Sequence, residues 1–490
     1  MANGSFDSTK ISSFINNFAD NSIIPAISTY IEIPNASPAF DKDWKTNGLL
    51  KKAADHLANW AKETGRDIKG MELELIEVPD KTPLIFITIP ATNPENQQTV
   101  LLYGHMDKQP PLTEAWAKDL HPYKPVIKDG KLYGRGGADD GYSIFSSLTA
   151  ILSLQSHGIP HARCVVIIEA GEESGSPDLP YYIDLLESRI KSPNLIVCLD
   201  SGCGNYEQMW STVSLRGIVV GTLKVELLKE GVHSGAASGI VPDTFRIARK
   251  LLSRIENENT GEVLIPEFFC EIPEERKQQF KSTAHVLAHT VVSEFPWVEG
   301  SAPIHGKPIK DLTSEEIAEL IAKRTWKPTL TVTGADGLPT LSQAGNVLRT
   351  QTSLKLSMRT PPRVDAPTAG LALKALLEKD PPYGAKVTFD LEKDGSGWDA
   401  PALSKWLEGS LQKASNTFYG KPTEFISEGG SIPFMGMLGK KFPQAQFVIT
   451  GVLGPNSNAH GPNEFLHIDY MKKITCCVAS ILADHFHQAK

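Results

Sequence analysis

Short apolar runs of strand length alternate along the first part of this chain with helical segments, and chemically active residues stand at the end of run after run. Residues 99–104 (TVLLYG) are followed by His105 and Asp107, residues 163–170 (RCVVIIEA) by Glu172 and Glu173, and residues 194–200 (NLIVCLD) end in Asp200. Uninterrupted β-branched and apolar runs of this length read as strands buried on both faces. Between them, residues 142–157 space their apolar positions as a helix does, with Gly158 and Pro160 as stop signals, and residues 181–190 are helical too. Strands alternating with helices specify a mostly parallel α/β sheet. In such sheets ligands bind beyond the carboxyl ends of the strands, where these residues fall.

The rest of the chain falls into blocks around this pattern. Residues 11–64 carry helical periodicity and read as two or three helices, and residues 83–90 read as a further strand. Near Gly217 a second pattern begins: strand 219–229, helix 244–255, strands 329–333 and 352–359, helix 368–378 and strand 385–392. That order, β-α-β-β-α-β, is the ferredoxin-like split unit. Residues 262–325 interrupt it, include a helical stretch at 313–323, and are too many for a structureless loop. After Gly395 the first character returns, with a helix at 402–415, a turn at Gly429 and Gly430, a strand at 446–450 and a closing helix at 471–486. The expected fold is therefore α/β: a mostly parallel-sheet domain made from residues 1–214 and 394–490, with a ferredoxin-like α+β domain, 215–393, inserted into it and extended by 262–325.

Composition narrows the partners. With 49 basic and 57 acidic side chains the 490-residue chain has a formal charge of −8, which gives no broad basic footprint for nucleic acid. No apolar run reaches the length of a membrane span, and the polar start MANGSFDSTK has no signal-peptide core, so the expected location is the cytoplasm, with the loss of processed segments upstream as the alternative. Cys164, Cys198, Cys203, Cys270, Cys476 and Cys477 have neither the density nor the spacing of a disulfide scaffold and read as reduced thiols. Small molecules or peptides are the expected partners.

Two further clusters join the strand-end residues: a glycine-rich turn with paired carboxylates, Gly134 to Gly141 (GRGGADDG), and the segment Asn458-Ala459-His460-Gly461-Pro462-Asn463-Glu464. Read alone, Asp139 or Asp140 would be the N-cap of the helix that follows, since carboxylates at strand ends commonly cap. Caps do not account for every cluster falling at one sheet edge. The turn lacks the Lys-Ser/Thr ending of a phosphate-binding loop, and its acids would repel phosphate. Histidines with carboxylates and no thiolate suit zinc, with manganese or cobalt as alternatives. His105, Asp139, Glu173, Asp200 and His460 suffice for two ions about 3.5 Å apart if one carboxylate bridges, which leaves Glu172 free as general base on a water.

His105-Met106-Asp107, the stretch from Leu132 through Gly141, Glu172-Glu173-Ser174-Gly175-Ser176, Cys198-Leu199-Asp200, Glu428-Gly429-Gly430-Ser431-Ile432-Pro433 and Asn458-Ala459-His460 with Asn463-Glu464 together resemble the co-catalytic di-zinc metallopeptidase clan. The likeness is to its carnosinase-like, nonspecific dipeptidase branch; carboxypeptidase G, aminoacylase and succinyl-diaminopimelate desuccinylase are more distant relatives. The motifs run in order from about residue 100 to 464. The resemblance implies that Asp139 bridges the ions, that His105 and Asp200 hold one and Glu173 and His460 the other, and that Asp107 orients His105. It also implies a cis peptide between Asp139 and Asp140. A metal-bridging hydroxide would attack the scissile carbonyl, with Glu172 taking the water's proton and passing it to the leaving amine.

From Gly231-Val232-His233-Ser234-Gly235 the resemblance implies that His233 completes the site of a partner subunit by meeting the oxyanion, making the inserted domain a lid and dimerisation domain and the protein a homodimer. Arg359 matches the family's carboxylate-binding arginine, with Asn346, Ser431 and the Gly430 backbone adding hydrogen bonds. The implied substrate is a dipeptide with a free C-terminal carboxylate. Two departures bear on it. Gly141 stands where many relatives have lysine, and Asp394 stands where carnosinase-type members have histidine, which argues against carnosine. The alternatives are an N-acyl amino acid amidohydrolase of the same clan and, from another class, a catalytically silent binding protein.

Overall fold

The structure is a computed structural model that describes residues 5–304 and 306–488. The chain forms two compact units, one of residues 1–213, 400–426 and 437–490, the other of residues 214–399 and 427–436. Segments 394–399 and 427–436 thus group with the second unit, whereas the sequence reading ran one segment of the first domain from 394 to 490.

The first unit is built on a six-stranded sheet of β1 (Glu72–Ile76), β2 (Leu84–Ile89), β3 (Thr99–His105), β4 (Arg163–Glu169), β5 (Leu195–Cys198) and β6 (Gln446–Ile449), in the spatial order β1-β2-β4-β3-β5-β6. β4, β3, β5 and β6 are parallel, and β1 and β2 add an antiparallel edge. Every residue of β3 is buried, as the uninterrupted apolar run requires of a central strand with both faces covered. β1 was not anticipated: Glu72 and Glu74 alternate with Leu73 and Leu75, and such a half-exposed edge strand lacks the apolar continuity that marked the others. The helix Ser143–Ser156 is buried almost all round and packs on Ile468–Phe486. Its first turn lies so close to β3 that a Cβ on Gly104 would stand 2.0 Å from Ser143 Oγ. Only glycine permits that approach.

In the second unit, the strands Thr329–Asp336, Gln351–Thr360, Gly217–Glu226 and Lys386–Gly395 lie in that spatial order, all antiparallel. With the helices Thr244–Ile255 and Ala366–Glu378 between them in sequence, this is the ferredoxin-like arrangement. Gly217–Glu226 and Gln351–Thr360 bury every second residue, so one face carries Val219, Leu223, Leu354, Leu356 and Met358 into a core with Ile247, Leu251, Leu373 and Phe389. Asp243 and Asp365 cap the two helices by accepting from Arg246 N and Thr368 N. The stretch 262–325 folds into the helices Glu274–Leu287, Thr290–Ser293 and Ser314–Thr325, the last opened by a Thr313/Glu316 capping box. Among the described residues no helix is long and apolar enough to cross a membrane.

Leu356 is fully buried in the second unit's core. Leu356→Ala is expected to cost about 2–5 kcal/mol through lost burial and the cavity left behind, whereas Leu371→Ala on an exposed position should stay within about 0.5 kcal/mol. Denaturant unfolding of both variants, read against the parent, checks the contrast.

Candidate metal centre

Three carboxyl ends of the first unit's sheet, the glycine-rich turn at 136–139 and one loop of the closing segment supply the donors. His105 ends β3 and is buried; its Nε2 lies 3.4 Å from Asp139 Oδ1 and 3.8 Å from Asp200 Oδ1. His460 Nε2 lies 3.1 Å from Asp139 Oδ2 and 3.4 Å from Glu173 Oε2. The donor atoms of His105, Asp139 and Asp200 all fall within 4.8 Å of one another, as do those of Asp139, Glu173 and His460, so the two triplets share Asp139. His105 Nε2 and Glu173 Oε1 are buried with no hydrogen-bond partner, though buried polar atoms are nearly always satisfied. Imidazole and carboxylate donors left open at this spacing fit divalent cations.

Asp107 braces the first triplet. Its backbone oxygen lies 3.1 Å from His105 Nδ1 and its Oδ1 3.5 Å from the same nitrogen, while Oδ1 and Oδ2 accept from Glu172 N and Glu173 N at 3.1 and 3.0 Å. One carboxylate thus ties the loop after β3 to the turn after β4. Asp140, joined to Asp139 by a cis peptide, accepts from His105 N at 3.1 Å.

The electrostatics reflect carboxylates gathered in a dry place. Burial, then the Asp200 charge, holds Glu172 well above the usual carboxylate range. Burial and Asp139 push Glu173 up to about 11, and burial raises Asp200 to about 6. For Asp139 burial works upward, but the adjacent His105 and His460 imidazoles prevail and hold it low. His105 is raised: burial opposes its charge, and Asp200, Asp107 and Asp139 outweigh that. A divalent cation would be the largest charge in such a site and would reverse the carboxylate shifts.

Sequence reading named Glu464 and the turn containing Arg135 but gave neither a role, and it did not single out Lys108. Glu464 is fully buried, accepts from Gly136 N, Ala138 N and Asp139 N, and pairs with Arg135 Nη1 at 2.7 Å. Arg135 also donates to Pro110 O and Gly461 O, tying the turn at 136–139 to the loops after His105 and around His460. His460 itself has φ 64°, a left-handed conformation unusual for a residue with a side chain, and sits between the backbone contacts of Asn458 and Gly461. Lys108, also buried, donates to Tyr30 O, Ile31 O and Ile33 O where the helix Ile24–Ile31 ends. Tyr30 and Asn35 in turn donate to Met106 O at 2.7 and 2.6 Å, fixing the chain beside His105. The signal for Glu464 was its place four residues after His460; nothing in sequence spacing pairs it with Arg135.

The remaining predicted site residues lie in the second unit. Arg359 Nη1 donates to Ser431 Oγ at 3.1 Å, and Gly430 is exposed beside them in sequence. His233, exposed, pairs with Val347 in a two-stranded ladder, and the neighbouring Ser234 N donates to Asn346 O.

A donor set of this kind suits a divalent metal ion. The chain belongs to the peptidase family M20/M25/M40, whose model matches residues 101–484, and is a metallopeptidase. It is 26% identical over 394 residues to the cysteinylglycine-S-conjugate dipeptidase of Corynebacterium striatum, covering 78% of this chain and 80% of that protein. It is also 26% identical over 421 residues to the Cys-Gly metallodipeptidase of Schizosaccharomyces pombe, covering 84% of each. The solved structure of a dipeptidase from Saccharomyces cerevisiae shares the fold, with a TM-score of 0.75 over 98% of this chain and 99% of that one at 22% identity.

Glu464→Gln removes the partner of a buried guanidinium and weakens the bracing of Asp139. Loss of one member of a buried pair costs about 3–5 kcal/mol, and loss of an outer support typically weakens metal binding by about 10–100-fold. Thermal unfolding of the metal-free protein and zinc titration should show both effects.

Proposed function

We propose that this chain is a dipeptidase, acting on dipeptides with a free C-terminal carboxylate, in which Asp139 is shared by two divalent ions. The two donor triplets meeting at one carboxylate carry this reading, and relatives named for Cys-Gly substrates support the substrate class. His105 and Asp200 are assigned to one ion, Glu173 and His460 to the other; the donors suit zinc first, with manganese or cobalt as alternatives. Bound there, such ions polarise the scissile carbonyl and make a coordinated water acidic.

The chain's own residues do the rest. Glu172 takes the proton of the attacking water and delivers it to the leaving amine, from a turn held by Asp107. Asp107 fixes the His105 ring through Nδ1 and, through the Glu172 and Glu173 amides, the turn that presents the base. Arg359 receives the substrate carboxylate, with Ser431, Gly430 and Asn346 supplying hydrogen bonds. His233 donates to the developing oxyanion in the site of a second subunit, so the working form is a cytoplasmic homodimer. Asp394, in place of a histidine, directs preference away from carnosine.

Glu172→Gln should lower kcat for a dipeptide panel by at least about 10²-fold while bound metal, measured by atomic emission, stays at the parent level. Chelation should abolish hydrolysis, and zinc or manganese should restore it; preferential cleavage of N-acetyl or N-succinyl amino acids would instead select the amidohydrolase reading.

His233→Ala should lower kcat by about 10²–10³-fold, the loss typical of one oxyanion donor, with little change in bound metal. Mixing it with Glu172→Gln should regain activity in heterodimers, where one of the two sites holds both an intact base and an intact His233. Activity that does not rise on subunit exchange would place His233 within its own subunit's site.

A further inference from the structure

Arg216 stands immediately before the strand Gly217–Glu226 and is 8% exposed. Its Nε donates to Gly429 O at 3.0 Å and its Nη1 to Thr329 Oγ1 at 3.3 Å. Ser431 Oγ donates to Arg216 O at 2.5 Å and accepts from Arg359 Nη1 at 3.1 Å, so one hydroxyl joins the two arginines. Gly429 runs against this group: a Cβ there would stand 3.2 Å from Arg216 Nη2 and 3.1 Å from Arg324 O.

The charges of this cluster do not balance. Arg324 has Glu294 at 3.0 Å. Arg216 and Arg359 have only a carbonyl and hydroxyls, and among the described residues no carboxylate lies within ion-pair distance of either. Carbonyls and hydroxyls orient a guanidinium without neutralising it, and buried charges are ordinarily paired. Burial and the neighbouring Arg359 and Arg324 charges lower Arg216 to about 9. Burial lowers Arg359 as well. Two guanidiniums this poorly compensated are arranged for an anion that the chain does not contain.

We infer that Arg216 is a specificity-determining residue and that the substrate's free carboxylate is received by Arg216 and Arg359 jointly, across the Gly429–Ser431 turn. The inference rests on the dipeptidase reading and extends it. Arg216 holds the turn through Nε and Nη1 and leaves Nη2 for the anion, while Arg359 contributes from the other side of Ser431. A carboxylate between two forks gains charge-assisted hydrogen bonds that an amide of the same shape does not.

The test uses the full-length, metal-loaded Glu172→Gln protein, with Ala-Gly and Ala-Gly amide as calorimetric probes. Adding Arg216→Gln should weaken Ala-Gly binding by at least about tenfold and change binding of the amide by less than about twofold; Arg359→Gln should behave alike. Arg216→Lys, which keeps the cation and guards against a folding defect, should fall between. Equal weakening of both probes would make Arg216 a purely structural support of the turn, and no weakening of either would leave Arg359 as sole receptor; each overturns the inference. If the parent protein neither binds nor cleaves Ala-Gly or any other dipeptide, it is the dipeptidase reading that fails.

Discussion

Asp107, Asp139, Asp140, Glu172, Glu173 and Asp200 are brought together at one edge of a sheet, and their mutual repulsion is the constraint around which the first unit is organised. Carboxylates in a dry environment either take up protons or find positive charge. Here they are given different answers. Asp107 is anchored by the backbone amides of Glu172 and Glu173, Asp140 by that of His105, and Asp139 by histidines on both of its oxygens. Glu173 and Asp200 are left with raised proton affinity, ready to be discharged by a cation. The repulsion that would unfold an ordinary core becomes the affinity of a metal centre.

Around that core of charge stands a second ring whose task is geometry. The Arg135–Glu464 pair joins the loops bearing Asp139, His105 and His460, and Lys108 closes the end of the helix Ile24–Ile31 beneath the loop after β3. A buried pair of this kind is weak evidence for stability, since desolvation offsets its attraction. Its value here is that several loops, each soft alone, are held to one another.

The sequence made the donors legible because chemistry and position coincide: His105, Glu173 and Asp200 follow apolar runs that could only be central strands. The β-α-β-β-α-β order was equally legible, from apolar positions alternating in 219–229 and 352–359 and from helices of ordinary length between them. What stayed hidden depends on contacts that no local pattern encodes. Arg135 and Glu464 are 329 residues apart, and Lys108 reads as a surface lysine until the helix end it caps is in place. β1 escaped notice because its edge position tolerates glutamates, and 427–436 because its grouping with the second unit comes from packing rather than composition. Arg216, at the start of a strand, carries no sequence mark of its burial.

The order of the donors along the chain has a consequence for biosynthesis. His105, Asp139, Glu173 and Asp200 all lie in the first half, but His460 and Glu464 arrive only with the closing segment, which adds β6 beside β5. Until the ribosome has released that segment, the nascent first half holds a concentration of acid without its last histidine and without the carboxylate that shapes the Asp139 turn. The Asp139–Glu173–His460 triplet is therefore complete only once the segment carrying His460 has been added, and the edge of β5 is covered only once β6 has joined it.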